Sequence, residues 1–484
     1  MNTVIANRFK GEIQRYIEKS KGPFESKIRE AFGTLNIKTI LCRSNIVKKD
    51  GYHAAHLLFI LLLMPFTSAD SVHSFCGKFW KNWTQSHKDS FYRFKKNEKF
   101  RWRRFFMLLN RQIFKATELD KTPVSQQCLI LDDTVISKRG KKIENLTFVR
   151  DTTNDKTVLG FNIVTLALFN GKTTYPVDFS YSFSKTQHPK SPQKKIGDSR
   201  SDAGGRSFEA HYQTKLELGL SMIQNAVSNG ITPRYVLFDS WYSWPGFISD
   251  IRNIDPQIHV VCRLKNSNVQ YEYKGEKLRL GALYKRHKGN FKRDRKTGML
   301  TKKVSVKICG KEKVTIVFTK GYNEPDVDTV KGKKEKSKDK WAAFLSTDIQ
   351  QSASEVIFTY VKRWAIEVCF KECKQMLLLG KDQSNSFQSQ VTATTLSFIR
   401  HNLLNYFNEI ENHTKTVGGF FNHLVDETAV ITYSHRIYQF FAELFNVALN
   451  KIFDLLGITE EFHGFNSLLI QELSVIEAFK GCET

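Results

Sequence analysis

The chain has 484 residues, enough at roughly 100–200 residues per domain for two to four domains with well-buried cores. Hydrophobic residues make up 41% and charged residues 25%, an ordinary globular mix that excludes a wholly disordered chain. The 74 basic residues outnumber the 48 acidic ones, and the net charge of +26 points to a polyanionic partner, above all nucleic acid.

Residues 1–120 read as helical. Charged and apolar residues alternate at helical spacing up to residue 32, and the run LLFILLLMPF at 57–66 reads as the central helix of a small bundle. That run is too short to cross a bilayer, which takes about 20 residues, and lies too far inside the chain to belong to a signal peptide. No membrane partner is expected, and the cytoplasm is the expected location. His53 and His56 at its start read as capping or core histidines rather than metal ligands. The stretch FYRFKKNEKFRWRRFFMLLNRQIFK at 91–115 interleaves aromatic and basic residues. Its cations, Arg101, Arg103 and Arg104 among them, suit phosphate contacts. Its aromatics suit either wedging between bases or a core built from Phe94, Trp102, Phe105, Phe106 and Leu109. No helix-turn-helix signature accompanies them.

The texture changes near residue 125. QQCLILDD at 126–133 reads as a short strand ending in carboxylates. Strands at 156–169 and 173–183 follow, with Asn170, Gly171 and Lys172 as the hairpin turn. The loop at 185–205 is rich in Gly, Ser and Lys, and Gly204 with Gly205 suits a basic phosphate nest or a plain surface loop. Residues 207–229 read as one helix closed by Gly230. YVLFD at 235–239 is a strand again ending in a carboxylate, 245–254 a short helix and 259–264 a strand. From 266 to 350 alternating β-strands are joined by lysine- and glycine-rich loops, with KGKKEKSKDK at 331–340 as low-complexity sequence. Residues 354–379 have helical period, and 390–484 are mostly helical. The eight cysteines form no CxxC pair. Cys369 and Cys373 are four apart, with no His or Cys nearby in sequence to complete a zinc site, so a reducing compartment is expected.

Two strands thus end in Asp, at Asp132 (with Asp133 behind it) and at Asp239. Open α/β sheets place ligands at the carboxyl ends of their strands, so neighbouring strands would aim both carboxylates into one crevice. Tyr360, Arg363, Glu367 and Lys374 follow, spaced Y-x2-R-x3-E-x6-K. At about 100° per residue these positions share one face of one helix, spanning about 21 Å. A carboxylate set among phosphate-binding groups suits a metal ligand beside a gripped DNA backbone.

The segment YVKRWAIEVCFKECK resembles the Tyr–Arg–Glu–Lys signature of the insertion-sequence-four family of bacterial DDE transposases, and LILDDT and VLFDSWYS resemble its two Asp segments. The resemblance covers about residues 125–380. It implies an α/β fold with an RNase H-like catalytic core and a β-rich insertion, flanked by helical N- and C-terminal regions. The expected organisation is 1–120 helical and DNA-end-binding, 121–265 the first part of the core, 266–350 the insertion, 351–385 the catalytic Glu helix, and 386–484 a helical region assigned to dimerisation. Asp132, Asp239 and Glu367 become the catalytic and metal-binding set, with Asp133 as the alternative first Asp. They would hold two Mg²⁺ (or Mn²⁺) ions per active site. Tyr360, Arg363 and Lys374 would hold the phosphates beside the cleaved bond, and Trp241, Tyr242 and Trp341 are candidates for stacking on a base. The implied activity is cut-and-paste transposition: cleavage of double-stranded DNA at terminal inverted repeats and strand transfer into target DNA, by a homodimer at the bacterial nucleoid. A stand-alone two-metal nuclease and a catalytically inactive end-binding repressor are the competing readings.

Overall fold

The computed structural model describes residues 23–426, leaving out 68, 78–85, 120–122, 124–125, 152–153, 185–188, 192–200, 321–340 and 412–415. Expectations for residues 1–22, for the lysine-rich loop at 331–340 and for 427–484 fall outside the described residues. Two compact units divide the chain, one taking Met1–Ile113 and Glu372–Thr484, the other Phe114–Lys371.

The first unit is helical. It begins with α1 (Pro23–Thr34), α2 (Ile37–Arg43), α3 (Ala54–Leu63), α4 (Val72–Gly77), α5 (Lys88–Lys96) and α6 (Trp102–Ala116). Helix α3 is apolar on every side, and Leu57 through Leu63 are all buried, as a central bundle helix requires. Among the described residues no helix is long and apolar enough to cross a membrane. Most aromatics of 91–115 are core, with Tyr92 half-buried. Phe94 meets Phe100 and Trp102 edge-on at 5.2 and 5.7 Å, and Trp102 meets Phe105 at 5.8 Å. All of these rings are buried, so they do not wedge between bases, while Arg101 and Arg104 are exposed and Arg103 half-buried.

The second unit is built on one mixed sheet of twelve described strands. Its strands and helices are β1 (Cys128–Ser137), β2 (Thr147–Asp151), β3 (Lys156–Phe169), β4 (Thr174–Ser182), α7 (Asp202–Tyr212), α8 (Lys215–Ser228), β5 (Tyr235–Phe238), α9 (Pro245–Ile254) and β6 (His259–Leu264). There follow β7 (Gln270–Tyr273), β8 (Glu276–Arg279), α10 (Leu280–His287), β9 (Lys292–Arg293), β10 (Leu300–Ile308), β11 (Glu312–Lys320), β12 (Trp341–Ser346), α11 (Ala353–Val361) and α12 (Trp364–Gln375). The order across the sheet is β2-β3-β1-β5-β6-β12-β11-β10-β7-β8, with β4 joined to β3 and β9 to β10. Strands β1, β5 and β6 run parallel, the connection from β5 to β6 passing through α9; β3 and β4 are antiparallel to their neighbours. The 266–350 segment does not form a separate sheet: β12 pairs antiparallel with β6 from Ala343↔Leu264 to Ser346↔Val261 and hands the ladder on to β11.

Three boundaries differ from the sequence expectation. Strand β1 does not stop at its carboxylates but continues to Ser137, because antiparallel pairing with β3 persists after parallel pairing with β5 has ended at Leu131↔Phe238. The helix expected at 207–229 is two helices. Thr214 starts the second with a capping box, its hydroxyl accepting from the Glu217 amide while the Glu217 side chain accepts from the Thr214 amide. The first begins at Asp202, capped by Ser201, so Gly204 and Gly205 are helical and form no phosphate nest. The helix expected from 354 is also broken, between Val361 and Trp364. The turn there is tight, with the Arg363 amide donating to the Tyr360 carbonyl and the Ile366 amide to the Arg363 carbonyl.

Helix α13 (Phe387–Ile410) returns to the helical unit and is buried along most of its length. Several of its polar residues find partners: Asn402 Nδ2 donates to Asn110 Oδ1 at 2.8 Å, and His401 Nε2 meets Glu372 Oε2 at 3.0 Å.

Candidate active site

Successive residues on a strand point to opposite faces, and this separates Asp132 from Asp133. Asp133 is enclosed by donors from three elements. Lys215 Nζ, in the first turn of α8, and Asn162 Nδ2, on β3, donate to its Oδ2 at 2.8 and 2.7 Å. Tyr242 Oη, from the loop after β5, donates to its Oδ1 at 2.9 Å. Burial, and then the charge of Asp133, push the Tyr242 hydroxyl well above its ordinary pKa, fixing it as a donor. Its ring is fully buried, so Tyr242 is not a surface for stacking on a base. Gly219 brings α8 close to β1 here, since a Cβ at that position would lie 2.6 Å from Leu131 Cδ2.

Asp132 faces other partners. Arg363 Nη1 donates to its Oδ2 at 2.9 Å, and Arg363 Nη2 lies 2.6 Å from Glu367 Oε1. One buried guanidinium therefore bridges a β1 carboxylate and an α12 carboxylate. Burial would lower the Arg363 pKa, but the neighbouring Tyr360, Asp132 and Glu367 outweigh it and raise it. Burial pushes the Asp132 carboxyl up to about 8; Arg363 pulls it down, while the charges of Asp239 and Asp133 push it further up. Asp239 follows the end of β5, its Oδ1 accepting the Trp241 amide at 2.9 Å. Its pKa is also raised, by burial first, against the pull of the Trp241 amide and Arg363.

Asp132, Asp239 and Glu367 are thus brought around Arg363, at the point where β1 and β5 part. Among the described residues Asp133 is engaged by Lys215 while Arg363 pairs with Asp132 and Glu367, and burial first, then the neighbouring carboxylates, raises the pKa values of Asp132 and Asp239. An all-carboxylate donor set gathered at one buried place fits a hard divalent cation held by oxygen.

The other expected residues are distributed differently. Tyr360 belongs to α11, Arg363 to the turn, and Glu367 and Lys374 to α12, so a single helical face does not carry all four. Tyr360 is 2% exposed, and its ring packs on Phe344 at 4.9 Å, so it is a core residue that also supports Arg363 at 5.6 Å rather than an exposed phosphate grip. Lys374 is half-buried, two turns beyond Glu367. Trp241 is 48% exposed with Lys215 Nζ 4.8 Å from its ring centre. Trp341 is not available for a base, because it stacks on Tyr284 at 4.4 Å and 10°. Sequence reasoning missed Lys215, Asn162 and Trp244. Trp244 is 54% exposed three residues after Trp241, and the signal for it was the repeated Trp in SWYSWP ahead of a proline-started helix. Nothing local marks Lys215 or Asn162, which reach Asp133 from distant parts of the chain.

A family described as Transposase DDE domain matches residues 216–403. A solved structure entitled a cryo-EM structure of piggyBac transposase synaptic complex with hairpin DNA is 11% identical, with a TM-score of 0.44 over 83% of this chain and 79% of that one. No curated protein matches the chain. A family described as DDE superfamily endonuclease matches residues 52–293, half of the sequence, and the chain belongs to that family.

Proposed function

We propose that the protein is a DNA transposase whose catalytic carboxylates are Asp132, Asp239 and Glu367. The observation that carries this reading is their convergence, from β1, the end of β5 and α12, around Arg363. The order strand, hairpin, helices, strand, helix, strand, β-rich insertion and helix supports an RNase H-like core. Asp133 acts as the positioning residue, locking the β1 backbone beside Asp132 through Lys215, Asn162 and Tyr242.

The three carboxylates would hold two Mg²⁺ or Mn²⁺ ions. Bound there, the ions supply the Lewis-acid charge that phosphodiester hydrolysis and transesterification need. The Trp241 amide keeps the Asp239 carboxylate turned toward Asp132. Arg363 holds Asp132 and Glu367 apart yet adjacent, and its fork can pass to a phosphate oxygen when DNA enters. Lys374 adds a point charge along the backbone, and the exposed face of Trp241 offers a stacking surface for a base. Arg101, Arg103 and Arg104 of the helical unit contact phosphates at the element ends. In this reading the substrate is double-stranded DNA at terminal inverted repeats, and a homodimer pairs two ends for cut-and-paste movement.

The test is cleavage of linear DNA carrying the inverted repeats that flank the gene, with Mg²⁺, by wild type and by Glu367→Gln. Cuts at the repeat boundaries, lost in the variant while DNA binding persists, are expected. Full cleavage by the variant refutes the metal assignment. Cutting that ignores the repeats identifies a general nuclease, and binding without cutting by either protein identifies a repressor.

A further inference from the structure

The helical unit contains a cavity of about 360 Å³ between α3, α5, α13 and the 378–385 segment. Pockets for small molecules span roughly 300–1,000 Å³. The lining is divided by chemistry. Leu61, Met64, Val72 and Leu396 make an apolar floor beside Tyr92, while four basic side chains (Lys95, Lys96, Lys381 and Arg400) face two acidic ones, Asp70 and Asp382.

Asp70 is exposed, and Asp382 is engaged. Asp382 Oδ1 accepts the Ser384 amide at 2.7 Å, and its Oδ2 accepts the Lys95 ammonium and the Ser389 hydroxyl. Asp382 thereby pairs with Lys95, and no ion pair joins it to Arg400 among the described residues. Arg400 is 4% exposed. Its Nη1 and Nη2 donate to the carbonyls of Leu377 and Leu61, which are dipoles and carry no counter-charge. Its Nε has no hydrogen-bond partner among the described residues. Burial lowers the Arg400 pKa to about 9, so the side chain is still a cation at neutral pH. A buried cation without a counter-charge is unfavourable unless an anion completes it. Lys96 and Lys381 are exposed at the rim and add further positive charge.

We infer that this cavity is a nucleotide-binding site, with Arg400, Lys96 and Lys381 taking the phosphate and Tyr92 and the apolar floor taking the base. An inorganic anion alone would leave the apolar floor and the aromatic ring without a role. The nucleotide is either a free mononucleotide or one unit of a DNA strand. The inference does not depend on the carboxylate site, which lies in the other unit.

The experiment is calorimetric titration of the full chain with dAMP, comparing wild type with the charge-reversed double variant Lys96→Glu/Lys381→Glu and with Tyr92→Leu. One-to-one binding is expected, weakened about tenfold or more by the double variant and severalfold by Tyr92→Leu, with unchanged thermal unfolding. Inorganic phosphate is expected to compete more weakly than dAMP. Displacement of dAMP by a single-stranded oligonucleotide assigns the site to a DNA strand; failure to displace it assigns the site to the free nucleotide. No heat with millimolar dAMP, or dAMP affinity unchanged in both variants, overturns the inference. Glu367→Gln is expected to bind dAMP as wild type does, so failure of the cleavage reading and failure of this one are separately visible.

Discussion

The adjacent pair Asp132 and Asp133 gives the sharpest test, because the two carboxylates should fail in opposite ways when each is changed to Asn. In Asp133→Asn, Oδ2 becomes an amide that faces the Lys215 ammonium and the Asn162 amide, both of them donors. Two hydrogen bonds to a charged acceptor are lost, each contributing about 1.5–3 kcal/mol, while Tyr242 keeps its acceptor. Because the Lys215 and Asp133 side chains retain 20% and 19% of their exposure, solvent recovers part of this, and the net loss is about 2–4 kcal/mol. At about 2–4 °C per kcal/mol for a unit of this size, a loss of about 3 kcal/mol lowers the melting temperature by about 6–12 °C. Asp132→Asn should do the reverse. Burial first, and then the charges of Asp239 and Asp133, disfavour the ionised Asp132 carboxyl in the fold, and a neutral amide carries no such cost. Stability measured without metal is expected to hold or rise, while cleavage is abolished. The assay is thermal unfolding in chelator at neutral pH, paired with Mg²⁺-dependent cleavage. Equal destabilisation by the two substitutions, or full cleavage by Asp132→Asn, refutes the division of roles.

Four further outcomes are expected. Lys374→Ala should weaken duplex binding and flatten the plot of log affinity against log salt by about 0.9, the slope for one phosphate contact, as read in a fluorescence titration. Trp241→Ala should leave thermal stability unchanged, given its exposure, and weaken binding to DNA with an unpaired base by the about 1–3 kcal/mol of one stacked base. Gly160→Ala should destabilise by about 3 kcal/mol or more, because the new Cβ would lie 2.0 Å from the Ile136 carbonyl oxygen, a backbone atom that cannot turn aside; chemical denaturation reads the loss. The Glu217 pKa is lowered by hydrogen bonds from the Thr214 amide and hydroxyl, so its contribution is present above the unfolded-state value and disappears as pH falls through the folded one. Glu217→Gln should remove that part of the acid sensitivity, seen as a smaller melting difference from wild type at low pH than at neutral pH.

Where the residues needed only local rules, the sequence was readable. Helix α9 starts on Pro245 and β6 is HVVCRL, and both have the expected bounds. Strand β3 is likewise as expected, its Asn170-Gly171-Lys172 turn held by Asn170 Oδ1 accepting the Lys172 and Thr173 amides. Where periodicity ran through a break, the reading failed. Helices α7 and α8 keep one apolar rhythm across Gln213 and Thr214, and only the Thr214–Glu217 capping box marks the interruption. The turn at Lys362 and Arg363 contains neither Gly nor Pro, so nothing local announces it. It matters to the site, because it turns Arg363 toward Asp132 and puts Tyr360 in the core. The carboxylates themselves were legible as residue types, with Asp132 preferred and Asp133 as the alternative, but the different surroundings of the two were not. The partners of Asp133, namely Lys215, Asn162 and Tyr242, lie 29 to 109 positions away along the chain.

The pairing of β12 with β6 bears on how such a chain can be shortened. An insertion joined by two linkers could be cut out and its ends reconnected. Here the excursion returns as the strand that covers β6, supplying partners for Val261, Cys262, Arg263 and Leu264. Excision would leave a largely buried strand with an apolar Val260–Cys262 centre and one side of its backbone bare, and bare strand edges recruit other chains. A shortened variant would therefore tend to self-associate through β6, even with every carboxylate intact. The excursion can vary in length at its far strands, but its last strand is part of what keeps the enzyme from sticking to itself.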